Sequence, residues 1–176
     1  MKNHELLIAT PAGPHPWSAA AAFRDRTFRA AIGRTGITAD KHEGDGASPI
    51  GVWPMRRLFY RSDRLARPQT PLPVQPIRPE DGWCDDPLSA DYNRLVRRPF
   101  AASHEEMWRE DAIYDLVVEL GYNDDPPVAG LGSAIFLHVA RRDFGATAGC
   151  LALTRVDLLA VLAAIGPGAA VEFRAA

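Results

Sequence analysis

The stretch Ile135-Phe136-Leu137-His138-Val139-Ala140-Arg141-Arg142-Asp143-Phe144-Gly145-Ala146-Thr147-Ala148-Gly149-Cys150-Leu151-Ala152-Leu153 decides the reading of this chain. It opens as an apolar run of strand type broken by one imidazole, His138, and passes through a short polar loop into the small-residue turn ending at Cys150. A thiol with an ordinary pKa of about 8.5 is mostly protonated near neutrality, so a cysteine that attacks needs a base, and His138 is the candidate. Gly149 matters as much, because without a side chain it permits a tight turn in which N–H groups around 148 to 150 converge on a developing oxyanion. A His and a Cys taken alone more often belong to a packed core. Context favours the catalytic pair: His138 closes a strand, and Cys150 sits between a glycine turn and a capped helix.

Working outward, proline and glycine, 15 and 14 in number, punctuate the first two thirds into short segments, which favours strands. Strands are expected at 6–10, 28–33, 52–60, 114–120, 134–140 and 170–173, several rich in β-branched or aromatic residues. One helix is expected after Cys150: Thr154 and Asp157 resemble a capping box, Val156, Leu159, Leu162 and Ala163 follow at helical spacing, and Gly166-Pro167 stops the run. A weaker helix is expected over 103–109, with His104-Glu105-Glu106 as its solvated start. The segment 61–99, rich in Pro, Asp and Arg, reads as a long irregular excursion, with Trp83, Cys84 and Tyr92 giving it some packing. The fold class is therefore mostly β, a sandwich or sheet with one main helix.

A chain of 176 residues suits one domain spanning 1–176, and 47% hydrophobic with 24% charged residues is ordinary globular composition. No apolar run reaches membrane-spanning length. A formal charge of −2 without a basic block speaks against nucleic acid. The first ten residues lack the apolar region of a secretory signal, so the expected location is cytoplasmic, or periplasmic if the true start lies upstream. The two cysteines are then expected reduced. Cys84 beside Trp83, Asp85 and Asp86 reads as a packing residue, because neighbouring carboxylates oppose a thiolate. No C-x-x-C or H-E-x-x-H spacing occurs, so neither a metal nor a cofactor is expected. Tyr92-Asn93 and Tyr122-Asn123 admit two readings, polar contacts for a peptide or turn-forming pairs.

A strand-end His followed by a Ser/Thr-x-Gly-Cys turn, here His138 with Thr147, Gly149 and Cys150, resembles the signature of the L,D-transpeptidases with a YkuD-like catalytic domain. Ser48-Pro49-Ile50-Gly51-Val52-Trp53 resembles a second family element, and Lys41 to Gly46, Gly82 to Asp86, Tyr92-Asn93 and Gly121-Tyr122-Asn123 are similar to a compact branch of the family. The resemblance covers about 28–173. It implies a YkuD-like fold in which Cys150 attacks the diaminopimelate carbonyl of a peptidoglycan tetrapeptide stem and expels terminal D-Ala. It further implies that His138 is the base, that the backbone carbonyl of Val139 orients it, and that N–H groups of Gly149 and Cys150, with Ala148, hold the oxyanion. Thr147 shapes the turn, and carbapenems are expected to acylate Cys150.

Three departures shape the finer reading. Ala148 and Ala152 stand where many members carry His and Arg, so Arg141, Arg142 or Arg155 is the substitute for gripping a substrate carboxylate. Twelve positions from His138 to Cys150 is short for the family, as for a trimmed loop. The missing signal favours water as acceptor, hence an L,D-carboxypeptidase of muropeptide recycling ahead of a transpeptidase forming 3-3 cross-links or exchanging D-amino acids. A non-catalytic muropeptide-binding protein is the reading from another class.

Overall fold

A computed structural model describes residues 5–175. Residues 1–4 and 176, which include the start of the segment read for a signal and both ends of the expected 1–176 unit, lie outside the described residues. The chain forms β1 (Leu6–Pro11), β2 (Ser18–Phe23), β3 (Arg26–Ala31), β4 (Ile37–Thr38), β5 (Ser48–Pro49), β6 (Gly51–Tyr60), β7 (Val74–Pro76), β8 (Asp81–Cys84), β9 (Leu95–Arg97), β10 (His104–Glu106), β11 (Leu116–Leu120), β12 (Phe136–Val139), β13 (Leu151–Leu153), α1 (Arg155–Ala164) and β14 (Ala170–Phe173). It is mostly β, as the sequence indicates.

Nine strands form one sheet in the order β11-β12-β13-β3-β2-β1-β14-β6-β7, and β6 also pairs with β11. The Gly121 N–H donates to the Pro54 carbonyl, whereas the Met55 N–H donates to the Ala169 carbonyl. Polar groups of consecutive strand residues point to opposite edges, so β6 holds β11 on one edge and β14 on the other. All strands of this sheet but β7 therefore join a closed circuit, which leaves few raw edges to aggregate. A second sheet of three strands, β10-β8-β9, covers one outer face.

The period-two alternation of strands sorts the apolar residues into two cores. Leu58, Leu116, Val118, Leu137 and Val139 point into the circuit and join Leu7, Leu151, Leu153, Leu158 and Val171. Their neighbours Phe59, Val117 and Phe136 point outward, where Trp83, Met107 and Tyr114 cover them and Cys150 joins them. Trp83 meets Phe136 edge to face at 5.0 Å between ring centroids, a favoured aromatic geometry. β11, β12 and the Leu58–Tyr60 end of β6 are thus buried on both faces.

Two expectations are corrected. Residues 103–109 are not helical: His104, Glu105 and Glu106 pair antiparallel with Cys84, Trp83 and Gly82, so tertiary pairing overrides the helical preference of the glutamates. The excursion 61–99 is not structureless either, since it contributes β7, β8 and β9. The main helix starts as read, with Thr154 Oγ1 accepting from the Asp157 N–H at 3.1 Å. Its buried face is Leu158, Val161 and Leu162, while Val156 is 76% exposed, because at 100° per residue it lies nearly opposite Leu158.

Candidate active site

The parallel pairing of β12 with β13 sets Leu137 opposite Leu151 and His138 opposite Ala152. Continued by one residue, this register places Cys150 beside Phe136, so that Cys150 and His138 are diagonal neighbours on one face. The Phe136 N–H points at Cys150 Sγ, 3.4 Å away, and the thiol donates to the Ala134 carbonyl at 3.2 Å. Ala134 holds a left-handed backbone, φ 51°, which is costly for a residue with a side chain. Its N–H is tied to Asn93 Oδ1 at 3.0 Å, which fixes the carbonyl that meets the thiol.

The turn before Cys150 is clamped from two sides. Thr147 Oγ1 donates to the Cys150 carbonyl at 2.7 Å and accepts from the Gly149 N–H at 3.1 Å. Ser48, fully buried, donates to the Gly149 carbonyl at 2.7 Å and accepts from the Gly33 N–H at 3.0 Å. Gly149 has φ +140°, and a Cβ there would lie 2.7 Å from the Ala47 carbonyl oxygen, so both conformation and space require glycine. The Ser48-Pro49 element thus serves the cysteine turn from across the fold. The Gly149 N–H expected in the oxyanion hole rests on Thr147 Oγ1 in this arrangement, so donating to a substrate oxyanion requires it to exchange that bond.

His138 is buried, and its Nδ1 lies 3.0 Å from the Val139 carbonyl. Only an Nδ1–H makes that contact favourable, which leaves Nε2 as the acceptor. Burial first, with the Arg109 and Arg141 cations after it, pulls the imidazole down to about 4, against a raising contribution from the Val139 carbonyl. Burial pushes the Cys150 thiol up to about 12, Glu105 pushes the same way, and the Phe136 N–H and Lys41 oppose it. The resting pair is therefore a neutral imidazole and a neutral thiol rather than a preformed ion pair. Proton transfer must be drawn out by substrate.

Both groups line a cavity of about 340 Å³. Thr147, Ala148 and Arg141 line it too, and Ala152 stands opposite His138 with no room taken by a long side chain. Arg142 is not among the lining residues, and Arg155 is drawn to Asp115 at 3.7 Å. Tyr92, Asn93 and Tyr122 do not line it, and their polar atoms are spent on the scaffold. Tyr92 donates to Glu43 and accepts from the Gly132 N–H. Asn93, at φ 56°, accepts from Trp83 Nε1 and donates to the Tyr122 and Asn123 carbonyls. Tyr122 donates to the Leu131 carbonyl and meets Trp53 edge to face. Both pairs thus serve turns and scaffold bonds, with Asn93 and Asn123 at positive φ, and none of Tyr92, Asn93 and Tyr122 reaches the cavity lining.

Sequence reasoning missed Tyr114, Glu105, Asp85, Glu43, Lys41 and Arg109, all lining the cavity. The Tyr114 ring lies 5.4 Å from that of His138 and its hydroxyl donates to Glu105 Oε2 at 2.5 Å. The signal that finds Glu105 and Asp85 is strand alternation: Met107 two residues after the one and Trp83 two before the other are both buried.

With that geometry in place, comparison with known proteins adds three findings. The family model for YkuD, the L,D-transpeptidase catalytic domain, matches residues 23–173. No curated protein matches the chain. Among solved structures, the chain is similar to the crystal structure of Mycobacterium tuberculosis L,D-transpeptidase 1, at 15% identity and a TM-score of 0.38, over 96% of this chain and 59% of that one. This chain thus covers less than two thirds of that protein's length.

Proposed function

The chain belongs to the YkuD family of L,D-transpeptidase catalytic domains, and from that premise we propose that Cys150 forms an acyl-enzyme on the diaminopimelate carbonyl of a peptidoglycan tetrapeptide stem, with water as the final acceptor. One observation carries the chemistry: the shared face of His138 and Cys150, with Nδ1 held by Val139 so that Nε2 is left as the proton acceptor. As Sγ closes on the carbonyl carbon, its proton passes to Nε2. The tetrahedral oxyanion is received by N–H groups of the 148–150 turn, and the imidazolium returns the proton to the departing D-Ala nitrogen. A neutral starting pair fits this sequence, because charge then develops only where the substrate oxyanion is met by donors.

The size of the cavity supports the acceptor reading. A cavity of about 340 Å³ lies at the low end for ligand sites, which suits one stem terminus and a water better than two stems. An L,D-carboxypeptidase of muropeptide recycling, working in the cytoplasm on soluble fragments, is the role we assign. The test is mass spectrometry of products from a disaccharide tetrapeptide, alone and with an added D-amino acid. Loss of D-Ala to give only tripeptide is the expected result. D-amino acid exchange or 3-3 linked dimers would make it a transpeptidase, and no Cys150-dependent product would leave a muropeptide-binding protein.

A further inference from the structure

The Tyr92-Asn93 pair, which does not line the cavity, reaches Cys150 through one residue, Ala134. The pair grips the segment 132–134 at two points: the Gly132 N–H donates to Tyr92 Oη and the Ala134 N–H to Asn93 Oδ1, both at 3.0 Å. Asn93 is buried, and its carboxamide is engaged on both sides. The oxygen accepts from Trp83 Nε1 at 2.9 Å and from Ala134, while the nitrogen donates to the Tyr122 and Asn123 carbonyls at 3.1 and 2.7 Å. Turning the amide over would set N–H against N–H at one end and oxygen against oxygen at the other, so this orientation is fixed.

Ala134 carries that grip to the sulfur. Its φ of 51° lies in the left-handed region, which a residue with a side chain keeps only where its surroundings impose it. With the N–H held, the carbonyl of the same residue accepts the Cys150 thiol proton at 3.2 Å, and the thiol is its one donor among the described residues. The sulfur itself receives the Phe136 N–H at 3.4 Å, so its partners are two backbone groups and not the His138 imidazole. Loss of the thiol proton would therefore leave a buried carbonyl oxygen without a donor and facing a negative sulfur, which favours the protonated form.

We propose that Asn93 is a positioning residue for Cys150: through Ala134 it holds a carbonyl that keeps the thiol protonated and turned from His138 until substrate arrives. The inference rests on the reading of Cys150 as nucleophile above. The hydrogen must leave the Ala134 carbonyl before it can pass to His138 Nε2, so a chance electrophile entering the cavity meets a thiol and not a thiolate. Charged and titratable groups face the same sulfur from the cavity wall. Glu43, Asp85, Glu105 and Tyr114 stand against Arg34, Lys41, Arg109 and Arg141, with His138 beside them. Asn93 is uncharged, so substituting it by glycine leaves that set intact and isolates the contribution of the carbonyl.

The experiment follows alkylation of Cys150 by iodoacetamide against pH, read by mass spectrometry of the peptide that carries it. Asn93→Gly removes the carboxamide at a φ of 56° that glycine adopts freely. Its alkylation midpoint is expected to fall by about 0.5 to 1 pH unit, which is about 3- to 10-fold faster labelling below the midpoint. Asn93→Asp keeps the acceptor for Ala134 and loses the donors to the Tyr122 and Asn123 carbonyls, and its charge acts only upward on the thiol, so its midpoint is expected not to fall. An unmoved midpoint in folded Asn93→Gly, or an equal fall in Asn93→Asp, as for a residue of the scaffold alone, overturns the proposal. The unaltered protein gives an independent reading. The infrared S–H band of Cys150, taken as the difference from Cys150→Ala, is expected displaced to lower frequency by the carbonyl, and a band at the free-thiol position overturns the proposal without any Asn93 variant. Stem turnover is measured alongside: a shifted midpoint with no Cys150-dependent product keeps the positioning role and removes the stem reading, and product with an unmoved midpoint does the reverse.

Discussion

The three strands β6, β11 and β12 carry two faces that differ in kind. On the inner face Leu58, Leu116, Val118, Leu137 and Val139 pack into one large apolar cluster, and the circuit of strands closes around them. On the outer face the alternating partners Phe59, Val117 and Phe136 lie under a cover made from the β8–β10 sheet, and there His138, Cys150, Tyr114 and Glu105 enter the packing. The inner face can be filled by any well-fitting aliphatics. The outer one combines low dielectric with a few polar groups, so each polar group shifts the others. Reactivity is placed where the packing is imported from a distant, aperiodic segment.

Substitutions at adjacent residues of β12 separate the faces most sharply. His138→Ala is expected to lower turnover by roughly 10²- to 10⁴-fold while the fold survives, measured by stem hydrolysis alongside circular dichroism. Comparable activity in the purified variant would dissolve the distinction. Leu137→Ala, one residue away on the inner face, is expected to cost about 2–5 kcal/mol of stability in denaturant titration, with the activity per folded molecule retained.

Acid sensitivity belongs to the outer face. The unfolded chain protonates His138 near 6.5 and the folded protein only near 4, so the stability from burying a neutral imidazole is fully present above about pH 6.5. It is lost as pH falls between those values, by roughly 3 kcal/mol if the whole difference is expressed. Urea unfolding of wild type and His138→Ala across that window checks it, and the variant should lack this contribution. The smallest effect is expected at Cys84, buried in β8 and outside the cavity lining. Cys84→Ser should keep the chemistry and cost at most about 1–2 kcal/mol; loss of acylation in a folded Cys84→Ser protein would merge the roles of the two cysteines.

The same contrast explains what was legible in the sequence. Strands β1, β3, β6, β11, β12 and β14 and the capped helix follow from local periodicity, and the Thr-x-Gly-Cys turn from its own chemistry. β2 was hidden because Ala19, Ala20, Ala21 and Ala22 carry little strand preference of their own. β10 was hidden because Glu105 and Glu106 favour helix in isolation, and only pairing with β8 turns Glu105 inward. Tyr92 and Asn93 looked available for a ligand, yet their partners Glu43, Gly132 and Trp83 lie 10 to 49 positions away in sequence. The electrostatics were the least visible part, since burial by a remote cover, not the His-Cys spacing, leaves the resting pair neutral.

The central claim is that the thiol on the outer face, Cys150, is the acylated group. Incubation with a carbapenem followed by peptide-level mass spectrometry tests it most directly. The account predicts one covalent increment, carried by the peptide containing Cys150 and absent from Cys150→Ala. An increment on Cys84, or none at Cys150 in folded protein, would contradict it.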